Sequence, residues 1–167
     1  MNKLKYLTNY PPQVIKDVQK MVDSNQLGQF IFNKYPTAHD KTSARSLYNH
    51  AMEIKNTYLR KSSPVGKVVY DDKIHVIKDA LGLHTYISRV QGKKLKAKNE
   101  IKISTLFKRA PIEFLNMIVV HELAHIKEKD HNKAFYQLCR HMQPEYHQVE
   151  FDLRVYLTYL EFGEGLY

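Results

Sequence analysis

The sequence predicts an α+β fold in which a small antiparallel sheet packs against one helix, with further helices before and after the sheet. Two observations support this class. Apolar residues recur at helical spacing up to residue 58 and again from residue 110, whereas short runs rich in β-branched residues fill the stretch between. The change of period from helix to strand and back predicts helices, then three or four short strands, then helices.

Two helices are predicted in the N-terminal part. The first follows Pro11 and Pro12, where apolar residues alternate with charged ones at three- and four-residue spacing. The second follows Ser43 and ends before the segment Ser-Ser-Pro-Val-Gly at 62–66, the clearest break in the chain.

Strands are predicted in the middle of the chain. The residues at 68–70 and 74–77, separated by Asp-Asp-Lys, indicate a hairpin. The β-rich run at 83–90 and the alternating segment at 97–104 complete an antiparallel sheet.

Three helices are predicted in the C-terminal part. The first covers 110–129: Pro111 suits its first helical position, and the basic residues near 127–129 suit the negative end of its dipole. Two more are predicted at 132–142 and 149–160.

Composition places limits on the class of protein. The chain has 167 residues, 43% of them hydrophobic and 26% charged, which fits one globular domain rather than a disordered chain. Neither a secretory signal nor a membrane span is expected. The single cysteine, Cys139, excludes an intrachain disulfide and a cysteine-rich zinc site, and it is expected to be a small buried side chain. We expect a cytoplasmic protein.

The segment His-Glu-Leu-Ala-His at 121–125 is the strongest chemical signal. His121 and His125 are four residues apart on a predicted helix, so both imidazoles can reach one metal ion. Glu122 lies beside them and is predicted to act as the general base on a water molecule. The alternative, the charged end of an amphipathic helix, assigns these residues no chemistry.

The third ligand is predicted from spacing, and two arrangements remain open. His131 follows His125 by six residues, as in HExxHxxGxxH proteins, but Glu128 stands where those proteins have glycine. A downstream acid, Glu145 or Glu150, is the competing ligand. We favour His131 because it needs no long-range packing to reach the metal.

The segment 91–109 carries seven basic residues against one acidic residue, Glu100. Such a surface favours an anionic partner, a nucleoside triphosphate or a nucleic acid, although a solvated strand edge has the same composition. The predicted substrate-binding residues are the lysines of its first half: Lys93, Lys94, Lys96 and Lys98.

The segment 114–147, together with 67–104 and the N-terminal helices, closely resembles the YgjP-like family of HExxH metal-dependent hydrolases. The resemblance implies a zincin-like fold, with the sheet packed on the HExxH helix. It also implies His121, His125 and His131 as ligands and Glu122 as catalytic base, followed by an aromatic pair, Phe135 and Tyr136. The broader family often carries an Arg-Trp-Gly-Ser-Cys-like segment, which this tryptophan-free chain lacks.

Members of that family are described as UTP pyrophosphatases and as metallopeptidase-like proteins, related to SprT-like proteins. The expected function is hydrolysis of UTP to UMP and diphosphate with one divalent metal ion. Zn²⁺ is the preferred ion, and Ni²⁺, Co²⁺ and Mn²⁺ are the alternatives. One alternative is a zinc metallopeptidase that acts on peptides and associates with nucleic acid, as SprT-like relatives do. Another is a non-enzymatic binder of nucleic acid or protein with a structural metal. The expected organisation is one hydrolase domain at 1–167, comprising a helical part at 1–63 and the sheet with the metal-binding helices at 64–167.

Overall fold

The computed structural model describes residues 4–74, the backbone of 88–91, and residues 99–167. The predicted strand at 74–77, apart from its first residue, and the four predicted substrate lysines lie outside these ranges. The described helices are α1 (Pro12–Asp23), α2 (Leu27–Lys34), α3 (Ala44–Tyr58), α4 (Ile112–Ala124), α5 (Lys133–Met142) and α6 (Tyr146–Leu160). The described strands are β1 (Val65–Asp71), β2 (Ser88–Gln91) and β3 (Asn99–Ser104).

The two predicted N-terminal helices are confirmed as α1 and α3. Ser43 caps α3, because its hydroxyl accepts a hydrogen bond from the Ser46 amide at 3.0 Å. Helix α2 was not predicted. It is separated from α1 by Asn25, whose φ of 55° interrupts the helical path, so one helical segment becomes two.

The sheet is mixed, so the expectation of a purely antiparallel sheet is wrong. The strand order is β1-β3-β2; β3 runs antiparallel to β2 but parallel to β1. A tight hairpin can join only antiparallel neighbours, whereas the long connection from Asp71 to Asn99 gives the chain room to return in the same direction.

Helix α4 is the central element of the described fold, because it contacts α3, α5 and α6 as well as β2 and β3. A helix that is apolar on all sides is stable only when it is enclosed. The residues of α4 that are buried include both apolar side chains and two of the predicted site residues: Phe114, Leu115, Met117, Ile118, Val119, Val120, His121, Glu122, Leu123 and Ala124. The core therefore surrounds the helix that carries the predicted metal ligands.

Helix α4 ends at Ala124, five residues before the predicted end at 129. The amides of Ile126 and Lys127 bond to carbonyls three residues back, which tightens the chain into a turn. Helix α6 begins at Tyr146, three residues before its predicted start. Among the described helices, none has the length and apolar character needed to cross a membrane.

Candidate metal centre

The end of α4 and the loop after it bring three imidazoles together. The Nε2 atom of His125 lies 3.2 Å from that of His121 and 3.1 Å from that of His131, and the third separation is 3.3 Å. A tetrahedral ion with nitrogen ligands at about 2.0–2.1 Å holds those nitrogens roughly 3.3–3.4 Å apart. The spacing therefore fits three ligands on one small ion.

The loop between α4 and α5 reaches His131 without a glycine. Among the described non-glycine residues only Asn25 has a positive φ, so Glu128 sits in ordinary backbone where any residue is accepted. The side chain of Asn132 then accepts from the Phe135 amide at 2.8 Å and starts α5. The glycine of the HExxHxxGxxH pattern is unnecessary here because the turn contains no left-handed residue at that place.

The orientation of His125 is set within the same loop. Its Nδ1 atom lies 2.9 Å from the backbone carbonyl oxygen of Glu128. A carbonyl only accepts, so Nδ1 carries the hydrogen and Nε2 presents its lone pair to the cluster. Burial lowers the pKa of His125, while the hydrogen bonds to the carbonyls of Glu128 and Lys129 oppose that shift. The net lowering favours the neutral imidazole, which is the form that binds a metal.

His121 is positioned by a different element. It is buried on α4, and its Nδ1 atom lies 2.9 Å from the hydroxyl oxygen of Tyr146, the first residue of α6. The Tyr146 side chain is fully buried. Tyr146 was not singled out from the sequence, because this residue lies before the helix predicted at 149–160.

Glu122 lies beside the three histidines. Its carboxylate is buried, and Oε1 is 4.0 Å from Nε2 of His121. A fourth ligand on the same ion would stand roughly 3.3 Å from the other donors, so at this separation the carboxylate adjoins the cluster rather than joining it. The compact donor group of the described residues consists of His121, His125 and His131.

Phe135 forms one wall of the cluster. Its ring centroid lies 4.9 Å from that of His121, 4.6 Å from that of His125 and 4.9 Å from that of His131. The ring is fully buried and packs edge-on or tilted against all three imidazoles. Tyr136, the second member of the expected aromatic pair, lies further away, with its ring 6.4 Å from His131.

The competing side chains lie apart from this group. Glu145 is exposed, and Glu150 lies 3.5 Å from Arg154 in an ion pair along α6. The Cys139 side chain is fully buried, and burial raises the pKa of its thiol to about 12. A protonated, enclosed thiol is neither a ready nucleophile nor a ligand, in agreement with the sequence analysis.

The described basic residues of the segment have partners or surroundings other than the histidines. Lys102 lies 3.9 Å from the carboxylate of Asp71. Lys108 and Arg109 form no ion pair with any described residue, and they border a surface pocket of about 660 Å³ that is also lined by Tyr156. Tyr156, one of the residues that line this pocket, lies ten residues, or about 15 Å, along α6 from Tyr146, the residue that contacts His121.

Comparison with known proteins places this site in context. The family model described as "YgjP-like, metallopeptidase domain" matches residues 69–156, a range that includes the three histidines and Glu122. A protein of Escherichia coli (strain K12) named UTP pyrophosphatase is 54% identical over 165 residues, which cover 99% of each chain. No solved structure matches this chain significantly.

Proposed function

Because this chain belongs to the YgjP-like metallopeptidase-domain family and is a hydrolytic enzyme, we propose that it hydrolyses UTP to UMP and diphosphate with one divalent metal ion. The convergence of three Nε2 atoms to within 3.3 Å carries the metal part of the proposal. The substrate part rests on the relative named UTP pyrophosphatase, whose similarity extends over nearly the whole chain.

His121, His125 and His131 would hold the ion, and three protein ligands are the number found in catalytic zinc sites. An ion bound there supplies Lewis-acid chemistry, lowering the pKa of water and neutralising charge on phosphoryl oxygens. Zn²⁺ is the proposed metal because neutral imidazoles at tetrahedral spacing suit it.

Glu122 is the proposed general base. Its carboxylate takes the proton from the water that attacks the α-phosphorus, and the bond from that phosphorus to the oxygen shared with the β-phosphorus breaks, so that diphosphate leaves. The same proton can then pass to the departing diphosphate. Burial of Glu122 excludes bulk water from this exchange.

Lys93, Lys94, Lys96 and Lys98 are the proposed contacts to the triphosphate. The chain offers a matched control for this assignment, since Lys108 and Arg109 belong to the same basic segment but border the remote pocket. Lys96→Ala/Lys98→Ala is expected to raise the KM for UTP, whereas Lys108→Ala/Arg109→Ala removes the same charge and leaves KM unchanged. Equal effects of the two double variants on the KM would show that the segment attracts the substrate only through its overall charge, without specific contacts from Lys96 and Lys98.

A zinc metallopeptidase is the alternative function, favoured by the description of the matching family as a metallopeptidase domain. The same base and ligands would direct water to a peptide carbonyl. A peptidase associated with nucleic acid would use the basic segment to bind the polyanion.

One experiment separates the two functions. The purified, metal-loaded protein is incubated with UTP and other nucleoside triphosphates and, in parallel, with an unfolded protein. We expect diphosphate release, strongest with UTP, and no peptide cleavage. Peptide cleavage without diphosphate release would reverse the assignment.

Two variants test the assigned roles. Glu122→Gln should keep the metal and lose turnover, because the amide cannot take a proton from water. His121→Ala/His125→Ala should lose the metal. A fully active Glu122→Gln protein, or metal retained by the double variant, contradicts the respective role.

A further inference from the structure

A row of polar side chains runs along α6 behind His121. Tyr146, Glu150 and Arg154 follow one another at four-residue spacing, so they share one face of the helix. The Tyr146 hydroxyl lies 2.9 Å from Nδ1 of His121, and Glu150 lies 3.5 Å from the guanidinium of Arg154. The row thus links the histidine cluster to a charged pair that lies four and eight residues after Tyr146, although none of its members belongs to the cluster.

We propose that Tyr146 is a positioning residue for His121, and that Glu150, acting through Tyr146, selects the imidazole tautomer that can bind metal. This inference rests on the proposed role of His121 as a ligand. It assigns to α6 a part in metal binding that acts through His121, in addition to its part in the core.

The proton count determines the direction of this hydrogen bond. A neutral imidazole carries one N–H, and a tyrosine hydroxyl carries one hydrogen. If Tyr146 donates to Nδ1, the imidazole hydrogen must sit on Nε2, which then has no lone pair for a metal. If Nδ1 donates to Tyr146, Nε2 is free to bind, and the hydroxyl hydrogen needs another acceptor.

Glu150 provides that acceptor. Glu150 follows Tyr146 by about one helical turn on the same face of α6, and an ionised carboxylate can only accept. The Arg154 side chain beside it is buried and permanently charged, so the acceptor remains an ion pair rather than an isolated buried charge.

Cys139 is the other neighbour that could accept from Tyr146. A thiol sulfur is a weak acceptor compared with a carboxylate, so the hydroxyl hydrogen goes to Glu150. Tyr146 can donate only once, and its oxygen is then left to accept from Nδ1 of His121.

The expected effect follows from this geometry. Tyr146→Phe removes the hydroxyl but keeps the ring that fills the core. Outer partners of ligating histidines typically contribute 10–100-fold to metal affinity, so the variant should bind Zn²⁺ about 10–100-fold more weakly. Glu150→Gln should weaken binding to a smaller extent, because an amide oxygen still accepts but the amide group can also donate to Tyr146.

The test measures Zn²⁺ dissociation constants by competition with a chelator and, separately, the ¹⁵N shifts of the His121 ring in the metal-free protein. Tyr70→Phe is the matched control, since it removes a tyrosine hydroxyl that bonds to the Lys41 carbonyl at 2.7 Å, away from the cluster. We expect the wild type to carry its hydrogen on Nδ1, Tyr146→Phe to populate the other tautomer, and Tyr70→Phe to behave as wild type. Thermal melting of each metal-free variant checks that it is folded. If Tyr146→Phe does not fold, Glu150→Gln provides the test instead.

The outcomes separate this inference from the proposed function. Wild-type affinity in both α6 variants, or a hydrogen on Nε2 in the metal-free wild type, overturns the role of Tyr146 and leaves the metal site intact. Absence of Zn²⁺ binding by the wild type overturns the metal site itself, and this inference with it.

Discussion

The Nδ1 atom of His125 lies 2.9 Å from the backbone carbonyl oxygen of Glu128, three residues further along the chain. The carbonyl, rather than the Glu128 side chain, therefore fixes the imidazole. The carboxylate of Glu128 has a different partner: it accepts a hydrogen bond from the Asn132 side chain at 3.2 Å. A backbone contact of this kind depends on the path of the chain and tolerates many residues at the position that supplies it.

The first prediction concerns position 128. Glu128→Ala keeps the carbonyl, so the Zn²⁺ dissociation constant should stay within about threefold of wild type, less than 1 kcal/mol. Glu128→Pro removes the amide that bonds to the Ala124 carbonyl at 2.9 Å and should weaken binding more than tenfold. Chelator competition measures both. If Glu128→Ala weakens binding as much as Glu128→Pro, the side chain, and not the turn, positions His125.

The sequence allowed the histidine cluster to be predicted because its geometry is local. His121 and His125 are one helical turn apart, and the six residues to His131 are too few to carry it far away. From the sequence alone, Glu128 in place of glycine raised the question of whether the chain could make the turn to His131. The backbone answers it, because no residue in this turn adopts the left-handed conformation that favours glycine.

Contacts between distant segments were not predictable from the sequence. Alternation identified β1 and β3 as strands but contains no information about their mutual direction, which depends on a long connection. Tyr146 meets His121 because α6 packs on α4, 25 residues away, and no periodic pattern encodes that packing. Helix α2 was missed because it is eight residues long and starts after an irregular residue, Asn25.

The second prediction concerns the wall of the cluster. Phe135→Leu keeps a large apolar side chain but removes the ring faces and edges that contact three imidazoles. We expect the free energy of unfolding of the metal-free protein to fall by about 1–1.5 kcal/mol. Zn²⁺ binding should weaken as well, because the imidazoles lose part of their fixed orientation before the ion arrives. Denaturant unfolding and chelator competition measure the two effects.

Tyr136→Leu is the control for Phe135→Leu, because the Tyr136 ring centroid lies 6.4 Å from that of His131, compared with 4.9 Å for Phe135. It should leave Zn²⁺ affinity near that of wild type. If both variants weaken metal binding equally, Phe135 has no particular role in holding the imidazoles.

The third prediction concerns a buried carboxylate away from the cluster. Asp152 is fully buried in α6; it lies 2.6 Å from Nζ of Lys34 and accepts from the hydroxyl of Tyr35, so it joins α6 to the end of α2. Asp152→Ala leaves the Tyr35 hydroxyl without its acceptor, whereas Lys34 is 40% exposed and can turn to water. We expect a loss of about 1–3 kcal/mol in the free energy of unfolding, measured by denaturant titration.

Asp40→Ala provides the matched comparison for Asp152→Ala. Its carboxylate is 89% exposed and lies 3.4 Å from the ammonium of Lys41. Exposed pairs contribute little, so this variant should change the free energy of unfolding by less than about 1 kcal/mol. Similar losses in the two variants would show that burial of Asp152 does not govern its contribution.

The fourth prediction arises from His39, which joins the segment after α2 to the start of α4. Its Nδ1 atom accepts from the Lys41 amide at 2.9 Å, so the ring hydrogen is on Nε2, which lies 2.6 Å from the Phe107 carbonyl. The backbone of His39 also donates to the Ala110 carbonyl at 3.0 Å. Both ring nitrogens are satisfied in the neutral form, and protonation of Nδ1 would break the bond from Lys41.

Burial lowers the pKa of His39 below its usual 6.5, and the hydrogen bond to Phe107 only partly opposes that shift. As the pH falls below 6.5, His39 therefore binds a proton more readily in the unfolded chain than in the folded one, so the free energy of unfolding falls. The contribution of one such group is at most about 1.4 kcal/mol per pH unit. His39→Gln should remove this part of the slope between pH 6.5 and 5 in denaturant titrations of the metal-free protein, whereas His141→Gln, at an exposed position on α5, should retain it. An unchanged slope in His39→Gln would mean that the folded protein accepts the proton at His39 as readily as the unfolded chain does.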